Sequence, residues 1–140
     1  MANSSQSVDS DGFDTWTALK LIKQDTRANL IADIVGHPKG MPSVPELDYT
    51  NPSIGRSAID GHLRKLIEAG VIEAVELPAG ERSRDLPYKF YRITPEVREL
   101  FDRNNLFAES VWRETYAKVE KTPEILEMQS MPRPAVGEDA

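Results

Sequence analysis

A chain of 140 residues is enough for one domain with a modest core, and no apolar run in it approaches the roughly 20 residues that span a bilayer. Cysteine is absent and His37 and His62 are the only histidines, which excludes disulfides, thiolate metal sites and thiol redox sensing and argues against an imidazole-rich metal site; no cofactor is expected. The net charge of −6 is opposite to the usual footprint of a nucleic-acid binder, but the acid lies outside the middle: residues 53–94 carry seven basic and six acidic side chains, against four and seven in residues 1–52 and six and ten in residues 95–140.

Residues 1–12 are rich in Ser, Asn, Asp and Gly and too poor in apolar side chains to order themselves, so a disordered tail is expected there. They have neither the basic start nor the apolar stretch of a signal peptide, which predicts a cytoplasmic protein. From Asp14 the pattern becomes helical. Trp16, Leu19 and Ile22, then Leu30, Ile31, Ile34 and Val35, predict one or two helices between Thr15 and Gly36, with Asp25 or Thr26 as the cap of the second. His37-Pro38-Lys39-Gly40 breaks the run, His37 reading as a helix-end residue, and Met41 to Ser43 is expected as a short edge strand.

The segment from Val44 to Ile72 reads as a short helix, a turn and a longer helix. Pro45 suits the opening turn of the first, Val44 to Asp48, because the amide it lacks would be unpaired there anyway. The second is expected over residues 55–69, after the Asn51-Pro52-Ser53 turn, with Gly70 as a left-handed cap. At 100 degrees per residue, Ile59, Leu63 and Leu66 share a core-facing stripe, and Ile67 and His62 fall at its margin, where His62 is expected to pack rather than to bind a ligand. Ser57, Ala58, Gly61, Arg64 and Lys65 collect on the opposite face, with Arg56 in the first turn and Asp60 beside it. Small residues let a backbone approach a groove floor, Ser57 can donate or accept, Ala58 can meet a thymine methyl, and arginine pairs bidentately with guanine. Taken alone, the same face equally describes an amphipathic helix with a solvated basic side.

The following residues favour the first alternative. Val71 to Leu77 and Tyr88 to Thr94 alternate with a period near two and flank a turn-rich segment, so they predict a β-hairpin whose tip, residues 78–87, carries Arg82 and Arg84. Such a tip can reach phosphates or a narrow minor groove; a solvated loop with the arginines paired to Glu81 and Asp85 is the alternative for either one singly. From Pro95 an apolar recurrence at three- and four-residue intervals, interrupted by Asn104-Asn105, predicts helices over Pro95 to Asp102 and Leu106 to Lys121. Because the preceding segments already supply a core, Leu100, Phe101, Phe107, Val111, Trp112, Thr115 and Val119 are assigned to a homodimer interface, ahead of the alternative that they close the monomer core. The division is therefore residues 1–12 tail, 13–94 DNA-binding domain, 95–121 dimerisation helices, and 122–140 a loosely packed acidic tail with several prolines.

From Ala28 to Thr94 the chain resembles winged helix-turn-helix regulators of the ArsR and MarR type, in particular archaeal and haloarchaeal members. The resemblance rests on Val44, Glu46-Leu47, Ser57-Ala58-Ile59, His62-Leu63, Leu66, Ala69-Gly70-Val71-Ile72 and Tyr91-Arg92-Ile93-Thr94. It implies an α+β, mainly helical winged helix-turn-helix fold with a two-stranded wing, and dimeric, sequence-specific binding of double-stranded DNA, usually as a repressor. Arg56, Ser57, Ala58, Asp60, Gly61 and Arg64 stand where that family faces or flanks DNA. Three departures matter. The Cys and His clusters of metal-sensing members are missing, the link Asp48 to Ile54 is longer than usual, and Gly55 replaces a common Ser cap at a cost of tenths of a kcal/mol. Asp60 would repel phosphate and is expected to pair with Arg64 rather than to read a cytosine. No catalytic constellation is visible, no small-molecule effector is identified, and the competing function is a winged helix that serves as a protein-interaction module in a larger assembly.

Overall fold

The computed structural model describes residues 14–135, so the expectation for residues 1–12 and the end of that for 122–140 lie outside it. Seven α-helices and one two-stranded antiparallel sheet make up the described residues, the architecture of a winged helix-turn-helix. Two helices, not one, precede the breaker: α1 (Thr15–Ile22) and α2 (Asp25–Gly36). Asp14 caps α1 by accepting from the amides of Trp16 and Thr17, and Gln24 caps α2 by accepting from the Arg27 amide at 2.8 Å, one residue before the expected position. The central element is α2. Its Leu30, Ile31, Ile34 and Val35 are fully buried, and α1, α3, α4, α6 and the sheet pack around it.

Met41 to Ser43 forms no strand. A single bond, from the Tyr91 amide to the Pro42 carbonyl at 3.0 Å, holds this stretch against the sheet, and Pro42 has no amide with which to extend a ladder. Ser43 and Glu46 instead start α3 (Val44–Thr50) as a capping box, with the Ser43 amide donating to the Glu46 carboxylate at 3.0 Å. Asp33 of α2 fixes the other end of α3 by accepting from Thr50 Oγ1 and Asn51 Nδ2 at 2.9 and 2.8 Å. Next comes α4 (Arg56–Glu68), capped by Gly55 and ended at Gly70, whose φ of 77° is the left-handed turn that leads into the sheet. Ile59, Leu63 and Leu66 are buried as their spacing predicts. At about 1.5–3 kcal/mol each, they outweigh the cost of about 1 kcal/mol for a glycine within the helix.

Strands β1 (Ile72–Glu76) and β2 (Lys89–Ile93) pair from Ile72 opposite Ile93 to Glu76 opposite Lys89. Beneath their far end Leu77, Phe90 and Met131 form a second, small apolar cluster. After β2 come α5 (Pro95–Arg103), α6 (Glu109–Ala117) and α7 (Pro123–Ser130). Asn105 and Phe107 lie at φ of 55° and 50°, which delays α6 by three residues relative to the expected Leu106 start. The Phe107 ring, centred 4.9 Å from that of Phe101, packs against the core at the cost of this backbone strain.

The assignment of Phe101 to a subunit interface does not hold, because its side chain is fully buried within the single chain, and Phe107 and Trp112 are half-buried against the same core. The reason lies at Gly36: a Cβ there would meet the Trp112 carbonyl oxygen at 2.5 Å, so the missing side chain lets α6 settle directly on α2. Residues 122–135 are also not a loose tail. Thr122 caps α7 by accepting from the Ile125 amide, Pro123 fills the first turn, and Ile125 and Met131 are buried.

Candidate nucleic-acid interface

The outward face of α4 is where the predicted contact residues meet. Arg56, Ser57, Ala58, Asp60, Arg64 and Lys65 are exposed, and Gly61 has nothing within 4 Å of the place a Cβ would occupy. The face is therefore open as well as small and cationic. Arg56 is tethered across the motif's turn by an ion pair between its Nε and Asp48 Oδ2 of α3 at 3.3 Å, in a setting exposed enough for the pair to add little stability. Asp60 and Arg64 line a shallow groove of about 290 Å³ between α4 and β2, together with Lys89 and Tyr91. This carboxylate thus stands at the flank of the helix, toward the wing, and not at the centre of its outward face. Burial raises the Tyr91 hydroxyl pKa above its usual value, with the charges of Asp60 and Glu76 adding to the effect.

The two wing arginines differ. Arg84 is exposed at the tip, whereas Arg82 is folded back on the hairpin. Its Nε donates to the Leu77 carbonyl at 2.9 Å, its Nη2 donates to Glu76 at 3.1 Å, and its guanidinium lies 3.9 Å from the centre of the Tyr88 ring. Glu81 and Asp85, its partners in the alternative of a solvated loop, are not the ones it uses. Arg82 holds the base of the tip together and projects less than Arg84, a distinction invisible in the order of residues alone.

Behind α4, His62 is half-buried with Nδ1 3.2 Å from an Arg27 guanidinium nitrogen, so it packs as expected. Burial, then the neighbouring charges of Arg27 and Lys65, lower its pKa from the usual imidazole value.

A larger polar assembly, absent from the sequence expectations, lies under the start of α3. His37 and Glu46 are fully buried, with Nε2 and Oε2 2.7 Å apart, and Arg133 reaches Glu46 Oε1 at 3.0 Å from 87 residues further along the chain. Because the Lys39 amide donates to His37 Nδ1 at 3.1 Å, the imidazole is neutral and its Nε2–H donates to Glu46. Burial holds the His37 pKa below its usual value despite the nearby carboxylate. For Glu46 burial acts upward, but His37, the Ser43 amide and Arg133 together keep it below the usual carboxylate value. Arg133 also donates to the carbonyls of Met41, Met128 and Met131 and stacks on Phe90 at 4.3 Å. Of this assembly, only the Ser43-x-x-Glu46 capping signature had a local trace in the sequence.

Among the described residues no group of three or more His, Asp or Glu side chains is placed to hold a metal ion, and no helix is long and apolar enough to cross a membrane.

No protein-family model matches the chain, nor does any curated protein. Among solved structures, a protein with a GntR superfamily winged-helix-turn-helix domain from Halomicrobium mukohataei is similar over 86% of this chain and 85% of its own, at 28% identity and a TM-score of 0.74. A crystal structure described as a possible transcriptional regulator for arsenical resistance covers 75% of this chain and 98% of its own at 26% identity; its TM-score of 0.44 is too low to add to the fold assignment.

Proposed function

We propose that the chain is a cytoplasmic, sequence-specific DNA-binding transcriptional regulator of the broad ArsR- and MarR-like kind, acting as a homodimer and as a repressor, with no catalytic role. The observation that carries this reading is the outward face of α4, open at Gly61 and flanked by Arg56, Arg64 and Lys65, within a winged helix-turn-helix. In this reading α4 enters the major groove, Ser57, Ala58 and Gly61 approach the base edges, and the cations take phosphates. The wing lies on the flanking backbone or minor groove, with Arg84 as its contact and Arg82 as its brace. Two copies would present their α4 helices about one DNA turn, roughly 34 Å, apart. Leu100, Val111, Thr115 and Val119 remain as interface candidates, since Val111 and Val119 keep 54% and 40% of their surface exposed and Thr115 is exposed beside them.

A mobility-shift titration at several salt concentrations tests the reading, using duplexes selected from a random-sequence pool. Binding should weaken steeply with salt, and Arg64→Ala and Lys65→Ala should each lower the logarithmic salt slope by about one. The acidic total, −6, is the observation on the side of a protein-interaction module. Failure to bind any duplex, genomic fragments included, would decide for that second reading.

A further inference from the structure

Away from α4, the α2–α3 loop, the end of β2, α5 and α6 surround an open cleft of about 600 Å³. That volume lies within the roughly 300–1,000 Å³ of small-molecule sites. Four cationic side chains line it, Lys39, Arg92, Arg98 and Arg113, against two carboxylates, Glu99 and Asp102. With Glu73 and Glu109, which pair with three of these cations, the cluster is balanced in charge, within a chain of net charge −6. Met41, Ile93 and Pro95 add an apolar wall, so the cleft offers cations beside a hydrophobic surface.

The arginines are held in place but not all used. Arg92 is pinned from the side by Glu73, its cross-strand neighbour, at 2.8 Å. Glu109 is shared between two guanidiniums: Arg113 Nη2 approaches it at 2.8 Å, whereas Arg98 Nη1 remains 3.9 Å away, beyond hydrogen-bond range. That Nη1 is buried and finds no acceptor among the described residues. A buried donor without a partner is uncommon in a native fold, and a guanidinium fork with spare capacity is suited to a planar or tetrahedral oxoanion.

We propose that this cleft binds a small organic anion, a carboxylate or phosphate head on an apolar body, with Arg98 and Arg113 taking the head and Met41, Ile93 and Pro95 the body. The site also joins two parts of the domain. Its loop residues Lys39 to Met41 lead through Pro42, which accepts from the Tyr91 amide of β2, into the capping box of α3. An occupant would therefore touch the wing strand and the entry to the helix-turn-helix together. Binding here does not depend on whether α4 meets DNA.

Amide-resolved NMR titration of the full chain with phenyl phosphate, hexanoate and inorganic phosphate, at constant ionic strength, tests the proposal directly. Phenyl phosphate or hexanoate should give saturable shifts confined to Lys39–Met41, the end of β2, α5 and Arg113. Arg98→Gln should weaken that binding about ten- to a hundredfold, as loss of a charge-assisted hydrogen bond does, and Lys39→Gln, a substitution of an exposed side chain, should weaken it less. Arg113→Gln serves in place of Arg98→Gln if the latter does not fold. The proposal is overturned if neither organic anion gives saturable shifts up to about 10 mM, an order of magnitude above a millimolar Kd. Binding indifferent to the arginine substitution, or inorganic phosphate binding as tightly as phenyl phosphate, would overturn it equally.

Discussion

Gly61→Ala separates the stability of α4 from its contact with DNA. Gly61 is the sixth of thirteen residues in the helix, its φ is not in the left-handed region, and a Cβ there meets nothing within 4 Å. The added methyl therefore costs no packing and removes the intrinsic penalty of a mid-helix glycine. The expected gain is about 0.8–1.0 kcal/mol, which for a chain of this size raises Tm by roughly 2–4 °C. If the backbone at Gly61 approaches the groove floor, the same methyl occupies space that the DNA needs, and affinity should fall about tenfold, equivalent to about 1.4 kcal/mol. Gly61→Leu should bind still more weakly while folding at least as well. Thermal melts read the first effect, and fluorescence anisotropy with a selected duplex reads the second. A more stable Gly61→Ala that binds that duplex with unchanged affinity, with Gly61→Leu equally unaffected, would refute the placement of this helix face against the bases.

Gly36→Ala should act in the opposite direction from Gly61→Ala, losing about 1–3 kcal/mol in a denaturant melt, because its Cβ would lie 2.5 Å from the Trp112 carbonyl oxygen. Arg133→Ala leaves the buried Glu46 carboxylate with one cation fewer and should cost about 3–5 kcal/mol; a loss below about 1 kcal/mol would mean that the C-terminal arm is not held there. His37 is held below its usual imidazole pKa, so the unfolded chain takes up a proton more readily than the folded one, and stability should fall as pH drops below the unfolded value near 6.5. Glu46, also held low, adds to the loss below its ordinary carboxylate value of 4.5. Denaturant midpoints at about pH 7.5 and about pH 5 should therefore differ less in His37→Gln than in the wild-type chain, since His62 contributes a slope of the same sign to both. For the dimer, light scattering should report two subunits for the wild-type chain and one for Val111→Asp combined with Val119→Asp. A wild-type monomer at micromolar concentration, or a variant that stays dimeric, would remove these side chains from the interface.

The elements that local chemistry specifies were legible in the chain itself. A helix declares its buried face within a few residues, as Ile59, Leu63 and Leu66 do, and Ala69-Gly70 ends it where the left-handed turn is needed. The apolar content of β1 and β2 and the breakers between them define the hairpin in the same way, although Phe90 to Ile93 are all buried where strict alternation would expose every second one, and the outward residues of α4 follow once its core stripe is known. Distant pairings leave no such period. Arg82 turns back on Tyr88, Glu46 and His37 meet an arginine near the far end of the chain, and α6 settles directly on α2 because Gly36 admits it. Tertiary packing alone decided these, since complementary shape and charge between residues far apart in the chain become visible only when the folded backbone brings them together.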